Sequence, residues 1–384
     1  MRYYKIEFSN PLGGYPANVP AVFESHPKGI YNPGCLEIQF DIANVYGNMS
    51  IPATSLRIHN VPVDLVKNAR SYNGMNVTIS GGFKPASPDY QSRMPLEKPT
   101  LSGILGQGTV NTCFGNWLGT DLVLDFLIWP SPVLGSNDLV RSPANGSGTV
   151  YQYNFDWTSG SLLKALTNMF NSIGLQMVPN LKIDPIFDNP PPGYPNGFRA
   201  SYTTFGEMAN AILSLSIDIK DPPTYSRSAN KGVYQEYRGV WVGFKGPSIL
   251  VYDGTQKIGA VQLQDDEFIG QPTWVSSDGI VQSVHPMRND ILLGYEIQYP
   301  KNIPTIIGPQ YSPAGREYSL NASSSTLRVQ QVRHVGQFRG TSATSWATYV
   351  NAGSAIRIAP NNPKAGSNVK IGTYDYTPDQ IGYK

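Results

Sequence analysis

The stretch QQVRHVGQFRGTSATSWATYVNA, residues 330–352, holds the side chains of this sequence that look most able to do chemistry. His334 stands there near Arg339 and a run of Ser and Thr hydroxyls, a combination that a hydrolytic enzyme could use. A serine nucleophile would also need an oriented acid, and the chain has no Gly-x-Ser-x-Gly elbow. We therefore favour a hairpin histidine that hydrogen-bonds the backbone or a neighbouring chain.

Other candidate catalytic groups are sparse. Asp265, Asp266 and Glu267 form the only acidic cluster, and paired carboxylates can hydrolyse a glycosidic bond. Neighbouring residues on a strand point to opposite faces, which favours a solvated strand end instead. The glycine-rich GILGQGTV (103–110) is not followed by Lys-Ser/Thr, so it indicates a turn between strands and not a phosphate loop.

Metal and redox sites are not predicted either. The chain has four histidines far apart and without a local carboxylate partner. Its two cysteines, Cys35 and Cys113, lie in predicted strands, where a pair of buried thiols is favoured over a disulfide. We predict no catalytic residue, no cofactor and no metal, so the chain is expected not to be an enzyme.

The composition indicates a β-rich protein with many turns. The 384 residues include 38 Gly, 32 Pro and 23 Tyr, and only 15% are charged, against about 25% in an average soluble protein. The net charge is +2 and no Lys/Arg run occurs, so DNA could pass this surface but nothing predicts that the protein grips it. No stretch of 18 apolar residues occurs, and no membrane segment is predicted.

Hydrophobic alternation predicts strands at both ends of the chain. In GCLEIQFDIA and DLVLDFLIW, apolar residues occupy every second position, as in half-buried strands. In STLRVQQVRHVG a strict alternation would put Leu327 and Val329 on one face and Val332 and His334 on the other. A β-bulge near Gln330–Gln331 would bring all four to one side.

The middle of the chain changes to a helical period. SLLKALTNMFNSIGL carries apolar residues three and four apart, and Gly174 is a candidate C-cap. In TTFGEMANAILSLSI, Thr204 and Glu207 have the spacing of a capping box. The expected fold is mainly β with an α/β insert: two antiparallel β-barrels, 1–130 and 260–360, flanking a small α/β domain at 151–255. A C-terminal tail follows at 361–384.

Several segments together resemble one family, the baseplate hub proteins of contractile-tailed bacteriophages. The last hairpin of such hubs has His-x-Gly-x-x-Arg on one strand and Trp-x-Thr on the return strand, matched here by His334, Gly336, Arg339, Trp346 and Thr348. Gln337 departs from the acidic residue often found after the glycine. GNWLGTDLVLDFLI (115–128), SLLKALTNMFNSIGL and 267–300, which includes Trp274, are similar to earlier parts of the same proteins.

The resemblance implies a structural virion protein. Such hubs are homotrimers in which two tube-like barrels per chain give a pseudo-sixfold ring. That ring joins the sixfold tail tube protein to the threefold central spike protein, meets other baseplate proteins and lets DNA pass through its bore. The resemblance also implies assembly in the host cytoplasm and a location in the tail baseplate of the virion. We expect subunit contacts at 82–103, 303–325 and 330–352.

Two other functions stay open at this point. A carbohydrate-binding tail-tip or adhesin module would need exposed aromatic rings, and Trp274 and Trp346 are candidates. A glycan hydrolase would use the carboxylates of 265–267, and we expect no such activity.

Overall fold

The fold is described here from a computed structural model of the chain. The described residues are 1–11, 13–45, 53–85, 101–130, 140–141, 150–190, 197–220, 239–255, 258–274, 280–300, 306–307, 327–354, 369–371 and 374–376. Most of the expected contact segment 303–325, most of the loop within 82–103 and most of the tail lie outside them. The chain is mainly β with helices in its middle third, as predicted.

Seven strands form the first strand group, the name used here for β1–β7. They are β1 (Arg2–Ser9), β2 (Val22–Glu24), β3 (Ile38–Val45), β4 (Thr54–His59), β5 (Asn76–Phe83), β6 (Ser102–Leu118) and β7 (Asp121–Trp129). One short helix, α1 (Val63–Lys67), lies between β4 and β5.

The described part of the middle section holds two longer helices and three small sheets. Its elements are β8 (Val140–Arg141), β9 (Val150–Tyr151), β10 (Tyr153–Trp157), α2 (Leu162–Ser172), β11 (Gln176–Met177), β12 (Phe198–Tyr202), α3 (Phe205–Lys220), β13 (Trp241–Lys245) and β14 (Ser248–Tyr252). Strands β8 and β9 form one two-stranded sheet. Strands β10 and β12 pair with each other, and β11, β14 and β13 form a three-stranded sheet. Both helices pack their apolar faces into one core with these strands.

The ends of both helices follow the sequence rules. Ser161 accepts a hydrogen bond from the backbone N–H of Lys164 at the start of α2, and Gly174 has φ +79° just beyond its end. At the start of α3 the Glu207 N–H donates to the Thr204 hydroxyl, and the Thr204 N–H donates to the Glu207 carboxylate. The predicted capping box is therefore confirmed.

The second strand group comprises β15–β21. Its strands are β15 (Ala260–Gln262), β16 (Thr273–Trp274), β17 (Val281–Pro286), β18 (Glu296–Gln298), β19 (Ile306–Ile307), β20 (Leu327–Gln337) and β21 (Trp346–Ser354). Two further strands, β22 (Val369–Ile371) and β23 (Tyr374–Tyr376), pair only with each other among the described residues.

The two strand groups share one sheet. Its strand order is β19-β16-β17-β21-β20-β3-β4-β7-β6-β5-β1-β2, with β18 and β15 attached beside β20. The junction is the antiparallel pair β20–β3, which runs from Gln331↔Val45 to Gln337↔Gln39. Among the described strand pairs neither group closes into a separate barrel, because the edge of each is used to join the other.

The predicted bulge in β20 is confirmed. The register with β21 shifts between Val329 and Gln331. Leu327, Val329, Val332 and His334 are consequently all buried on one side of the sheet, as the bulge hypothesis requires. In the described part of the chain, no helix is both long and apolar enough to span a bilayer.

Candidate functional site

Most of the predicted motif residues meet at the junction of the two strand groups, which we call the seam. Trp346 begins β21, yet its ring lies in the core of the first group. It stands edge-on to Phe40 and Phe338, with ring centroids 5.2 and 5.8 Å away, and its indole N–H donates to the Gly82 carbonyl at 2.9 Å. Because the ring is buried, Trp346 cannot act as an exposed platform for sugars, which corrects that part of the adhesin hypothesis.

The same packing requires a residue without a side chain at position 336. Gly336 pairs with Phe40 across the β20–β3 junction, and an added Cβ would lie 2.3 Å from the Phe40 ring. A side chain at this position would displace the Phe40 ring, against which Trp346 packs. The glycine of the motif therefore permits the close approach of two strands.

Two arginines hold the turn between β20 and β21 against the first group. The Arg2 guanidinium donates to the carbonyls of Gln337, Phe338 and Gly340 at 2.8, 2.9 and 2.6 Å. Arg339 donates from its guanidinium to the Cys35 carbonyl at 2.7 Å, and its backbone N–H donates to Glu37 at 2.8 Å. Arg339 thus fastens the turn to the segment before β3.

His334 and Thr348 are buried cross-strand partners. The Thr348 hydroxyl accepts from the Arg288 N–H at 3.0 Å and donates to the Arg288 carbonyl at 3.2 Å. Its one proton is then used, so the imidazole Nδ1–H of His334 donates to it at 3.0 Å. Burial lowers the pKa of His334 to about 4, so the ring is neutral at physiological pH. Its partner is a side-chain hydroxyl of the same chain, whereas the hairpin interpretation expected the backbone or a neighbouring chain.

A second buried histidine forms the arrangement that most resembles a catalytic pair. His285 donates from Nδ1 to the Glu267 carbonyl at 2.7 Å, which leaves Nε2 to accept from Ser283 at 2.8 Å. Tyr299 lies 2.9 Å from the same serine oxygen. All three side chains are buried, and a backbone carbonyl replaces the orienting carboxylate. No substrate can reach this serine, so the network is a structural one.

The acidic cluster is not the solvated strand end that the sequence indicated. Asp265–Glu267 form one turn of 3-10 helix, and the Glu267 side chain turns inward. Its carboxylate accepts from the Gln264 N–H at 2.9 Å and lies 3.3 Å from the buried guanidinium of Arg288, which also bonds Asp290 with two contacts of 2.6 Å. Its pairing with Arg288 is a structural role, because removing either partner would leave an uncompensated charge in the fold.

Neither cysteine is a reactive group. Cys35 and Cys113 are both free and buried, as predicted. Burial raises the pKa of Cys113 to about 12, so its thiolate is not available as a nucleophile. Among the described residues, no three His, Cys, Asp or Glu side chains cluster in a way that could hold a metal ion.

The shared sheet has a second face, opposite the cores, on which charges are paired across strands. Arg333 on β20 donates from Nε to Asp41 on β3 at 2.7 Å. Arg57 on β4 donates to Asp125 on β7 at 2.5 Å, and Asn116 donates to the other oxygen of that carboxylate. Each pair cancels its own charge, so this part of the face is close to neutral.

Five of the six motif residues thus lie at the seam or in its buried hydrogen bonds: His334, Gly336, Arg339, Trp346 and Thr348. Trp274 lies on β16, at the far side of the second group, and pairs through its backbone with Val281 and Ile307. Sequence reasoning missed Arg2, because nothing local distinguishes an arginine that binds a turn over 330 residues away.

No family model matches the chain, and neither does any curated protein. Similar solved structures include the 43 kDa tail protein of prophage MuSo2 from Shewanella oneidensis (TM-score 0.45, 6% identity, 92% of this chain and 97% of that one). Another is a tail protein from Neisseria meningitidis MC58 (TM-score 0.40, 7% identity, 92% and 96%).

A third similar structure is the E. coli c3393 protein (TM-score 0.43, 9% identity, 91% of this chain and 78% of that one). It is described as a component of the type VI secretion system, with structural similarity to the T4 bacteriophage tail proteins gp27 and gp5. The chain is similar, at identities of 6% to 9%, to these two tail proteins and to this secretion-system component.

Proposed function

We propose that this chain is a non-enzymatic structural subunit of a bacteriophage tail baseplate, assembled as a homotrimeric hub. The observation that carries the proposal is the sheet shared by the two strand groups. One chain supplies two β units side by side in a single sheet, so three chains supply six such units around one axis. A ring of this kind presents six units to a sixfold tail tube and three chains to a threefold spike.

The seam supports the same role. It joins the two β units through buried rings, arginine–carbonyl bonds and a continuous strand ladder, so they stay in fixed relative positions. Fixed spacing is what a ring needs if six units are to match six tube subunits. The site chemistry is consistent with this, because the buried histidine networks are closed to substrate.

The open face of the sheet suits a bore through which DNA passes. Retention of DNA requires many unpaired Lys or Arg side chains at the phosphates. Here Arg333 and Arg57 are each paired with a carboxylate across neighbouring strands. We place this face toward the channel, with the tail tube protein, the central spike protein and other baseplate proteins as partners and the virion as the location.

The test is the shape and mass of the purified protein. Light scattering should give about three times the chain mass of 42.0 kDa, and electron micrographs should show a threefold ring with a central hole. A particle that stays monomeric at every concentration, or an assembly without threefold symmetry, would refute the hub model.

A further inference from the structure

One edge of strand β6 is paired with another described strand along only half of its length. Its first half, Ser102–Thr109, pairs with β5 on one side, and its second half, Thr109–Leu118, pairs with β7 on the other. On the side away from β7, no described strand pairs with residues 113–118. Unpaired strand edges are templates for another strand.

The amides along this edge have a definite direction. The Cys113 N–H donates to the Asn73 side-chain oxygen at 2.7 Å, so it points away from β7. Successive residues of a strand alternate in direction, so the backbone groups of Gly115 and Trp117 point the same way. Those of Thr112 and Phe114 point toward β7. No hydrogen bond from a described residue meets the N–H of Gly115 or Trp117.

The second strand group repeats this arrangement. Strand β20 pairs with β21 along nearly its whole length, and the second half of β6 pairs in the same way with β7. Each of the two ladders has a register shift, after Val110 in β6 and after Val329 in β20. Before the shift each strand meets a partner from its own group, which is β5 for β6 and β18 for β20.

Equivalent turns confirm the correspondence. Val110 exchanges backbone hydrogen bonds with Gly74 and Met75, at 2.8 Å each. Val329 exchanges them with Gly294 and Tyr295, at 2.9 Å each. Both glycines have φ +80°, a conformation that favours glycine. The two groups are therefore built on one plan, with β20 in the place of β6.

The two strands differ beyond the bulge. In β20 the outer edge at Gln331–Gln337 is occupied by β3 of the other strand group. In β6 no described strand occupies the equivalent edge, and it carries two of the most exposed large apolar side chains among the described residues. Phe114 is 55% exposed and Trp117 is 74% exposed. An open edge flanked by exposed aromatic rings is the pattern of a surface that is covered on assembly.

We propose that the β6 edge at residues 113–118 binds a second copy of this chain. The occupant is an antiparallel edge strand from the second strand group of that copy, because β20–β3 already shows the same edge filled by the other group. In the shared sheet the order runs β3-β4-β7-β6 through the first group and β16-β17-β21-β20 through the second. The strand equivalent to β3 is thus β16 (Thr273–Trp274), and β19 (Ile306–Ile307) pairs parallel to it on its outer side. The edge that meets β6 is therefore the outer edge of β19, which runs in the same direction as β16.

This inference rests on the proposed ring and names the edges that close it. Hydrogen exchange of the assembled wild-type protein, followed at single-residue resolution, tests it. The amides of Gly115 and Trp117 should exchange about 100-fold more slowly in the assembly than in the dissociated chain. The amides of Thr112 and Phe114 are internal controls, because their bonds to β7 protect them in both states.

The outcomes separate the two proposals. A threefold ring in which Gly115 and Trp117 exchange as fast as in the dissociated chain overturns the β6 contact and leaves the hub standing. An assembly without threefold symmetry that protects both amides refutes the hub and supports the contact. A chain that stays monomeric with both amides unprotected refutes both.

A pair of surface variants gives a second readout. Trp117→Lys places a charge at the proposed contact, and Ile186→Lys places one at an exposed apolar residue of the middle section. Trp117→Lys should weaken self-association at least about tenfold, while Ile186→Lys should leave it unchanged. Equal association of both variants, with unaltered circular dichroism, would overturn the inference.

Discussion

Acid should destabilise this protein at a pH above the range in which its carboxylates titrate. The folded protein keeps His285 and His334 buried and neutral, and acid protonates histidine. Burial lowers the pKa of each to about 4, whereas an unfolded chain has a histidine pKa near 6.5. Folded-state values below the unfolded ones mean that this stability is fully present above pH 6.5. It is lost progressively as the pH falls from 6.5 toward 4.

The size of the effect follows from the two pKa values. Between pH 7 and pH 5 each buried histidine should remove about 2 kcal/mol from the free energy of unfolding, and the pair about 4 kcal/mol. His26 is also buried, and burial lowers its pKa to about 4, so it acts in the same direction. The two-histidine figure is therefore a lower bound.

Urea unfolding followed by tryptophan fluorescence at pH 7, 6 and 5 measures this loss. The control is His334→Asn, whose amide can still donate to the Thr348 hydroxyl but does not titrate. The variant should lose about 2 kcal/mol less than the wild type over the same pH range. A wild-type free energy of unfolding that is constant from pH 7 to pH 5 would refute the assignment of neutral, desolvated rings.

Three substitutions test the seam, each by the free energy of unfolding in urea. Gly336→Ala should cost about 2 kcal/mol or more, because the new methyl overlaps the Phe40 ring; an unchanged midpoint would mean that the strands can separate there. Arg2→Ala should cost about 2 kcal/mol, because three carbonyls lose a charged donor, and Arg2→Lys should restore only part of it. Trp346→Phe should cost about 2 kcal/mol, because the buried Gly82 carbonyl would lose its hydrogen-bond donor. An unchanged free energy of unfolding would mean that water replaces the indole N–H as the donor.

Local patterns in the sequence predicted local structure well. The bulge in β20 follows from the need to bury Leu327, Val329, Val332 and His334 together, and the α3 cap follows from the Thr204–Glu207 spacing. Both depend on residues a few positions apart, so the competing conformations can be compared within one segment.

Contacts between distant parts of the chain could not be predicted from local patterns in this way. That β20 pairs with β3 depends on which edges remain open after each group forms, and no pattern within either strand encodes it. Glu267 shows the same limit, because its burial depends on Arg288, which approaches it from a separate strand end. The repeated plan of the two groups is carried by backbone turns at Gly74 and Gly294, and the side chains around those turns differ.

The placement of Trp346 and Phe338 has a consequence for synthesis. These rings belong to the core of the first strand group, but the ribosome makes them almost 300 residues after β3. While the chain is being made, the first group therefore has an unfilled core and an unpaired β3 edge, and both favour aggregation. Contacts between such distant segments also form slowly. The core of the first strand group is thus completed only by residues made about 300 positions after β3, and a chain cut before residue 327 should lack a stable first strand group.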